Sequence, residues 1–493
     1  MGSEWTRHTL AELAHPSPHS MATGPFGSAI SSKYFQNTGV PVIRGGNLST
    51  DVSCRLSDDN LIYVSEEKAS EFRRSIVRDG DLIFTCWGTI NQIGLITKSQ
   101  KHSEYIISNK QMKFTPDQSK ADSLFLYYLF SSPIKQAEIL QNSIGAAVPG
   151  FNLGQLKQHK LNLPPLREQV AIRELLGSLD DKIALNHQIN TTLESMAQAL
   201  FKSWFVDFDP VIDNALAAGN PIPEALQARA DTRAALGDQR KPLPDHIRQQ
   251  FPDRFMLTEE MGWVPEGWHI STIGEQVETT GGGTPSTKNP DFWENGTHPF
   301  CTPKDMSQLK SLVLMDTERL LTDDGVRKIS SGQLPKGTVL MSSRAPIGYL
   351  TISDIPVSVN QGIIAMLPNQ NYGPVYLLCW ATTNMKQITD RANGSTFQEI
   401  SKKNFRPIPF LVPGKGILEA FNEQAEAIYS RILLTSEQTD ALTKLRDTLL
   451  PKLLSGELRI PEAEKHIEEG HLALRHAHAL QNRHGRPRSK CNL

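Results

Sequence analysis

The 493-residue sequence predicts an α/β (α+β) protein with two duplicated globular domains. Two long antiparallel helices are expected to separate these domains, forming a coiled coil with pseudo-two-fold symmetry. Two observations carry this prediction. Short motifs recur in the same order in both halves, roughly 250 to 263 residues apart, and each half ends in a long stretch with helical apolar spacing.

The repeated motifs indicate duplication of a whole domain, because their spacing far exceeds a solenoid repeat of about 20–50 residues. One match places Asn109 opposite Asn360. The matching segments are residues 5–10 and 268–273, 79–84 and 336–341, and 106–109 and 357–360.

Each repeat contains short apolar runs rich in β-branched residues and bounded by Gly, Pro, Asn or Asp, which is the pattern of strands. A short helical pattern follows the strands in each half, at residues 123–131 and 375–383. The predicted strands are residues 40–43, 82–84, 94–97, 338–341, 349–352 and 362–367.

Apolar residues recur at steps of three and four over residues 166–205 and again over 417–454, which predicts two rods of roughly 60 Å. A shift of 249 residues superimposes their apolar positions. Asn186 and Thr435 fall near the seam, either as a solvated gap or as a buried polar pair that fixes register. The predicted helix-packing residues are Ile172, Leu179, Ile183, Leu193, Leu200, Phe421, Ile428, Ile432, Leu442 and Leu449, with Met196 on the same stripe.

The changes of pattern set the domain boundaries. The segment between the repeats is punctuated by prolines and is expected to lie on the surface, and the C-terminal tail is polar and expected to be disordered. Its five histidines leave open a metal-binding tract or a solvated segment. The boundaries are residues 1–163 and 262–412 for the globular domains, 164–206 and 413–456 for the helices, 207–261 for the connector and 457–493 for the tail.

Composition and motifs exclude several classes of protein. With 51 Lys+Arg against 53 Asp+Glu, the chain has no global basic field, so any DNA contact must be local. No run of 18 apolar residues and no secretory signal are present, which predicts a cytoplasmic protein without membrane contact. The five scattered cysteines predict no metal site. No P-loop, Gly-x-Gly-x-x-Gly or Asn/Asp-Pro-Pro-Tyr/Phe motif occurs, so the chain is not expected to be an enzyme.

Four segments resemble the specificity subunits of Type I restriction-modification systems. Residues 163–169 (Leu-Pro-Pro-Leu-Arg-Glu-Gln) and 200–210 (Leu-Phe-Lys-Ser-Trp-Phe-Val-Asp-Phe-Asp-Pro) are similar to the central region of that family. Residues 445–456 resemble its C-terminal region, and residues 262–268 resemble the entry to its second target-recognition domain. The resemblance covers about residues 1–460.

The resemblance implies a non-catalytic subunit that recognises a bipartite sequence in double-stranded DNA, one half per target-recognition domain. It implies docking of two methyltransferase (modification) subunits, which methylate adenine, and of restriction/translocase subunits. No cofactor is expected in this chain; S-adenosylmethionine, ATP and Mg are expected on the partner subunits.

Positions that differ between the repeats are candidates for base recognition, whereas shared positions fit scaffold or phosphate contacts. Amides suit adenine edges and arginine suits guanine edges, although each charge can equally be an ordinary solvated side chain. The candidates are Arg44, Asn47, Trp87, Thr89, Asn91, Gln92, Lys98, Lys110 and Lys113 in the first domain, and Thr302, Lys304, Ser343, Arg344, Lys402, Lys403 and Arg406 in the second.

Two other interpretations stay open at this point. The neutral net charge is compatible with an interaction scaffold whose domains bind a protein instead of DNA. A self-contained methyltransferase or nuclease is disfavoured by the missing motifs. The aromatic cluster of Phe201, Trp204 and Phe205 is expected to pack in a core, with a partner surface as the alternative.

Overall fold

The computed structural model describes residues 5–144, 150–239, 243–394 and 398–466. The chain forms two compact units. Unit 1 comprises the described residues of Met1–Ala184 and of Asp440–Leu493, and unit 2 comprises those of Leu185–Thr439. Residues 467–493, most of the predicted tail, lie outside the described residues. No helix in the described ranges is long and apolar enough to cross a membrane.

Unit 1 begins with two four-stranded sheets. One has the order β2-β9-β6-β7 and is antiparallel, and the other has the order β4-β3-β8-β5, with β3 and β8 parallel. The strands are β1 (Thr6–Thr9), β2 (Met21–Thr23), β3 (Val40–Ile43), β4 (Ile62–Val64), β5 (Ile76–Arg78), β6 (Leu82–Thr85), β7 (Ile93–Leu95), β8 (Glu104–Ile107), β9 (Gln111–Phe114) and β10 (Lys160–Leu163). The α-helices are α1 (Glu66–Ser70), α2 (Ser123–Ser131), α3 (Pro133–Gln141), α4 (Leu153–Gln158) and α5 (Leu166–Phe205).

Unit 2 repeats this plan with a five-stranded sheet, β14-β21-β18-β19-β16, and a three-stranded sheet, β17-β15-β20. The strands are β11 (Phe255–Thr258), β12 (Gly262–Pro265), β13 (His269–Thr272), β14 (Glu278–Gly281), β15 (His298–Cys301), β16 (Val313–Leu314), β17 (Arg319–Leu321), β18 (Val339–Ser343), β19 (Ile347–Ser353), β20 (Ser358–Val359), β21 (Ile363–Leu367) and β22 (Pro409–Val412). The α-helices are α6 (Asp209–Ala218), α7 (Glu224–Ala235), α8 (Asp245–Arg248), α9 (Ile273–Gln276), α10 (Pro303–Gln308), α11 (Asp323–Arg327), α12 (Pro374–Thr383), α13 (Met385–Asp390), α14 (Lys402–Phe405) and α15 (Lys415–Ser455).

Equivalent strand pairings show the duplication. Strand β1 pairs antiparallel with β10 in unit 1, as β13 pairs with β22 in unit 2. The parallel pair β3–β8 corresponds to β15–β20, so Ile43 opposite Ile107 matches Cys301 opposite Val359. The predicted fold class is confirmed. The predicted match of Asn109 with Asn360 is wrong by one residue, because this register makes Ser108 the equivalent of Asn360.

The long helices α5 and α15 contribute to both units. In each unit, their segments run antiparallel and share an apolar core. The structure places Ile172, Leu179, Ile183, Leu442 and Leu449 in the core of unit 1, and Leu193, Leu200, Phe421, Ile428 and Ile432 in or against the core of unit 2. Met196, by contrast, is 53% exposed, because its turn of α5 points away from that core.

The polar positions at the helix seam in unit 2 are buried. Asn186 donates from Nδ2 to Oε1 of Gln438 at 3.1 Å, and Asn190 donates to Oγ of Ser436 at 2.9 Å. Thr435 is also buried, but its hydroxyl donates to the carbonyl of Arg431 in its own helix. The seam therefore contains buried polar pairs, with partners that differ from the predicted Asn186–Thr435 pair.

The segment 207–261 differs from the predicted surface connector. Helix α6 buries Val211, Ile212 and Ala215, because these residues share one helix face. Together with Phe208 and Phe251 they are fully or almost fully buried, and the aromatic cluster Phe201, Trp204 and Phe205 is buried in the same unit. The interpretation of that cluster as core is the one the structure supports.

The ordered chain also continues past the predicted tail boundary at residue 456. Residues 460–466 are helical, and Ala463 is fully buried in unit 1. Leu458 and Ile460 pack against the same core. These apolar side chains hold the segment against the core. Because polar residues surround them in the sequence, the pattern there resembles that of a solvated tail.

Candidate nucleic-acid interface

Unit 1 has an open cleft with a volume of about 570 Å³. Val42, Thr85 and Gln111 from strands β3, β6 and β9 line it. The loops that follow β3, β6 and β8 supply its other sides, and they bring five predicted site residues together. These are Arg44, Trp87, Thr89, Gln92 and Lys110.

The loop after β6 carries Trp87 to the cleft. Two backbone hydrogen bonds fix Cys86, the residue before it. The amide of Cys86 donates to the carbonyl of Lys110 at 2.7 Å, and the carbonyl of Cys86 accepts from the amide of Phe151 at 2.8 Å. Gly88 follows with φ of 93°, a conformation that favours glycine. The chain therefore turns directly after Trp87, whose side chain stays 50% exposed.

The loop after β3 is braced by Asn47. Its Oδ1 accepts from the amide of Arg44 at 3.0 Å, and its Nδ2 donates to the carbonyls of Ser57 and Asp59 at 3.1 and 3.0 Å. Asn47 is only 3% exposed, so it supports the loop and presents no side chain to DNA, contrary to the prediction. Arg44 itself is exposed, with one long contact of 3.4 Å from Nη2 to the carbonyl of Asn60.

Gln92 and Gln111 add amide groups to the cleft. Nε2 of Gln92 donates to the carbonyl of Leu48 at 3.1 Å. Gln111 is fully buried; its Oε1 accepts from the amide of Ser108 at 3.0 Å, while its Nε2 has no hydrogen-bond partner. Sequence reasoning missed Gln111, and its place at the first position of β9, beside the predicted Lys110, was the available signal.

Three further candidates of the first domain are not among the cleft-lining residues. Lys98 is exposed and Asn91 is partly exposed. Lys113 is buried on β9, where its Nζ donates to the carbonyl of Ile76 at 2.9 Å. Burial lowers the pKa of Lys113. The DNA contact predicted for Lys113 is therefore corrected to a role inside the domain.

The second domain has the same loop after its equivalent strand. The amide of Thr302 donates to Oδ2 of Asp305 at 2.8 Å, as that of Arg44 donates to Asn47, and the Thr302 hydroxyl donates to the same carboxylate at 2.6 Å. Lys304 pairs with Glu318 at 2.6 Å and is exposed. Thr302 therefore fixes the start of this loop through its bonds to Asp305, while Lys304 remains exposed at the surface.

Ser343 ends β18 and Arg344 follows it, at the positions that Cys86 and Trp87 occupy after β6. Ser343 N donates to the carbonyl of Gly362 at 2.8 Å, and Ile400 N donates to the carbonyl of Ser343 at 3.0 Å. Ser343 is 3% exposed, so its predicted DNA contact is corrected to a structural one. Arg344 is accessible and lies 3.7 Å from Oε2 of Glu399, a residue that sequence reasoning missed.

Helix α14 carries the remaining candidates. Lys402 and Lys403 are exposed. Arg406 donates from Nε to the hydroxyl of Thr279 at 2.9 Å and from Nη2 to the Thr279 carbonyl at 2.6 Å. Arg406 thus ties α14 to strand β14, while the two lysines present free charge at the surface of this domain.

Comparison with known proteins places the chain in a family. The family model described as the Type I restriction modification DNA specificity domain matches residues 21–195 and 265–434. The chain belongs to this specificity family. The two matched stretches coincide with the two copies of the duplicated plan, each with the start of its long helix.

Individual specificity subunits show how far the similarity extends. The HindI specificity subunit of Haemophilus influenzae is 29% identical over 377 residues, which is 72% of this chain and 81% of that subunit. The MjaIX specificity subunit of Methanocaldococcus jannaschii is 34% identical over 156 residues, 31% of this chain and 36% of its own. The crystal structure of the S subunit from M. genitalium shares the fold, with a TM-score of 0.51 and 17% identity, over 92% of this chain and 96% of that one.

Membership of the specificity family confirms the resemblance predicted from the sequence. It also confirms that the chain is a non-catalytic subunit, since the matching relatives are specificity subunits. The chain is therefore a specificity subunit of a Type I restriction-modification system, which acts on DNA.

Proposed function

We propose that this specificity subunit recognises a two-part DNA target, with one half bound by each globular domain. The observation that supports this most directly is the pair of equivalent positions after β6 and β18. One scaffold presents Trp87 next to Gly150, and the other presents Arg344 next to Glu399. A shared backbone with different side chains at the surface is the arrangement needed to recognise two different half-sites.

The same proposal includes the partners of the subunit. Two modification subunits dock on it, one for each half of the duplicated plan, and restriction subunits join the larger assembly. These partners supply S-adenosylmethionine, ATP and Mg, and the assembly works in the cytoplasm. The division of labour fits a chain whose family is non-catalytic.

The test is co-purification with a modification subunit, followed by single-molecule sequencing of adenine methylation on DNA exposed to the complex. The expected result is a two-part methylated motif with a fixed gap. Exchange of residues 1–163 for another such domain should then change one half of the motif only.

Other outcomes would point elsewhere. A stable complex without methylation would indicate an inactive or mismatched pair of subunits. Failure to form a complex, together with DNA affinity that does not depend on salt, would favour the interaction scaffold.

A further inference from the structure

Trp87 has one face against the backbone and one face toward solvent. Trp87 and Gly150 form an antiparallel bridge, and a Cβ atom at position 150 would lie 2.5 Å from Cζ3 of the indole. Only glycine at position 150 leaves room for the ring to lie this close to the chain. The side chain remains 50% exposed, so its outer surface is open to a planar partner.

A buried hydrogen-bond donor without a partner lies in the wall of the cleft beside Trp87. Gln111 is fully buried, lines the cleft, and has no acceptor for its Nε2. Buried polar groups without a partner are rare, and each one calls for an explanation. An acceptor atom on a molecule that enters the cleft would complete the hydrogen bonding of Gln111 after a small movement of the cleft wall.

The surroundings of the cleft suit a nucleotide. Arg44 and Lys110 are exposed at its edge and provide positive charge for a phosphate. Phe26 is 76% exposed, on a segment that Asn109 holds through a 3.1 Å hydrogen bond to the carbonyl of Gly27. The volume of about 570 Å³ exceeds that of a single base.

The second domain lacks this arrangement among its described residues. Arg344 stands where Trp87 stands, and Glu399 replaces Gly150. The two charged side chains lie 3.7 Å apart, so the position is filled by an ion pair instead of an open aromatic face. Ile363 replaces Gln111 at the start of the equivalent strand. Among the described residues, the aromatic face and the buried donor occur at these positions in the first domain and not at their equivalents in the second.

We propose that the first domain displaces one base of its half-site from the DNA stack and holds that base in the cleft, against Trp87. Aromatic side chains stack on any base, and apolar side chains inserted at base steps unstack and kink the duplex. The donor of Gln111 then favours a base with an acceptor at the matching edge. Gly150 is a positioning residue for the indole. This inference rests on the proposed recognition of DNA.

The experiment uses the full chain assembled with its modification subunits and a duplex that carries the methylated motif. Each base pair of the first half-site is replaced in turn by a mismatch that keeps the base on one strand. At a displaced base, the mismatch removes the cost of unpairing, so binding to the wild-type complex should become tighter by roughly tenfold at one position. A mismatch at the adenine that the modification subunit methylates should also tighten binding, because methyltransferases extrude their target base, but that gain should not depend on Trp87. At the remaining positions, the mismatch should weaken binding or leave it unchanged.

The variants separate stacking from simple loss of structure. Trp87→Ala and Gly150→Ala should abolish the gain from the mismatch, while Trp87→Phe should retain most of it. Arg344→Ala, in the second domain, is the matched control: it should weaken binding to matched and mismatched duplexes alike, so the ratio between the two stays as in wild type. Assembly with the modification subunits should be unchanged in all four variants, which excludes misfolding.

Two contrary results are distinguishable. If the complex binds its two-part motif but no mismatch in the first half-site tightens binding, or Trp87→Ala behaves like wild type, the displacement of a base is overturned while recognition stands. If the wild-type complex binds no DNA with sequence preference, both this inference and the proposed function fail.

Discussion

Asn47 illustrates how a buried side chain can fix the position of an exposed one. Its amide joins the start of the loop at Arg44 to the carbonyls of Ser57 and Asp59. The exposed guanidinium of Arg44 depends on the position of this loop. Asp305 performs the first of these tasks in the second domain, which shows that the loop geometry belongs to the duplicated scaffold.

Removal of this brace should affect both stability and recognition. We expect Asn47→Ala to lower the free energy of unfolding by about 2 kcal/mol, because the three hydrogen bonds of a buried amide side chain are lost. DNA binding should weaken at the first half-site only. Chemical denaturation and binding to duplexes altered in one half-site measure the two effects.

A control for Asn47→Ala is Asn109→Ala, which removes an exposed amide with a single hydrogen bond to Gly27. Its effect on stability should stay within about 0.5 kcal/mol. Equal destabilisation by both variants would show that the buried contacts of Asn47 do not brace the loop.

The site could be predicted from the sequence only in part, and particular residues show why. Arg44, Trp87 and Gln92 follow recognisable strands, so their place in loops at the sheet edge was accessible from pattern. Gln111 and Gly150 reach the cleft through pairing with distant segments, Gln111 opposite Thr85 and Gly150 opposite Trp87, which no local pattern encodes. Asn47, Lys113 and Ser343 have the residue types of DNA contacts, and burial alone assigns them to the scaffold.

At the scale of elements, periodicity predicted the strands and helices closely. The predicted segments 40–43 and 123–131 coincide with β3 and α2, and the long helices match α5 and α15 to within two residues at each end. The segment 207–261 was harder, because its helices are short and its prolines resemble a linker. Helix α6 nevertheless packs into the core of unit 2.

The packing of α15 against α5 in unit 1 includes a buried ion pair. Arg446 Nη1 donates to Asp180 Oδ1 at 2.9 Å, and the hydroxyl of Tyr128 donates to Asp180 Oδ2 at 2.5 Å. Arg446 and Asp180 are both about 5% exposed or less. The pair joins the two long helices to helix α2 and so couples three elements of this unit.

Loss of one partner should destabilise unit 1 strongly. We expect Arg446→Met to cost about 3–5 kcal/mol, because it leaves the Asp180 carboxylate buried without its cation. The double variant Asp180→Asn/Arg446→Met should recover part of this loss. A double-mutant cycle from chemical denaturation measures the coupling, and strictly additive effects of the two changes would contradict it.

Helices α6 and α7 are held together by ion pairs with a defined pH dependence. Arg229 donates to both oxygens of Asp209 at 2.7 Å, and Arg233 pairs with Asp213. Burial raises the pKa of Asp209, but the hydrogen bonds from Arg229 and Ser203 and the charge of the arginines outweigh it, so the pKa lies below its ordinary value.

The depressed pKa of Asp209 fixes the direction of the pH effect. Its stabilising contribution is present above the unfolded-state pKa of about 3.9 and is lost as the pH falls through the folded-state value. We expect Asp209→Asn to lower stability by about 2 kcal/mol at pH 7, a value reduced for the partial exposure of Arg229. The difference from wild type should shrink below about pH 4.

Thermal melting at several pH values measures this effect. The matched control is Asp231→Asn on helix α7, the helix that carries Arg229; its carboxylate is exposed and accepts a hydrogen bond from Gln227. Its melting temperature should follow wild type at every pH. A pH-independent deficit for Asp209→Asn would show that packing, and not the charge, accounts for the loss.

At the scale of the whole molecule, the two long helices connect the two copies of the domain. Helix α5 has 40 residues and α15 has 41, and each contributes to both units. If each domain binds one half of the DNA target, the length of these helices should set the gap between the halves. The gap should then depend on the helices and the half-sites on the globular domains, so the two should vary independently.

Insertion of seven residues into each helix tests this dependence. Placed after Ala184 and after Thr439, the insertions add nearly two full turns, so the apolar stripe of each helix keeps its direction. The added length is about 10.5 Å, which corresponds to roughly three base pairs of duplex DNA. We expect the methylated motif to keep both half-sites and to gain about three base pairs in the gap.

The insertion must be made in both helices, because a single insertion leaves seven residues of one helix without a partner segment on the other, so they must bulge out or break that helix. The single insertion should therefore destabilise the protein, while the double insertion preserves the pairing. The same seven residues placed in the loop between α6 and α7 should leave the motif unchanged. Methylation of the original motif by the double insertion would show that the helices do not set the gap, and that the domains adjust to the DNA independently of the helix length.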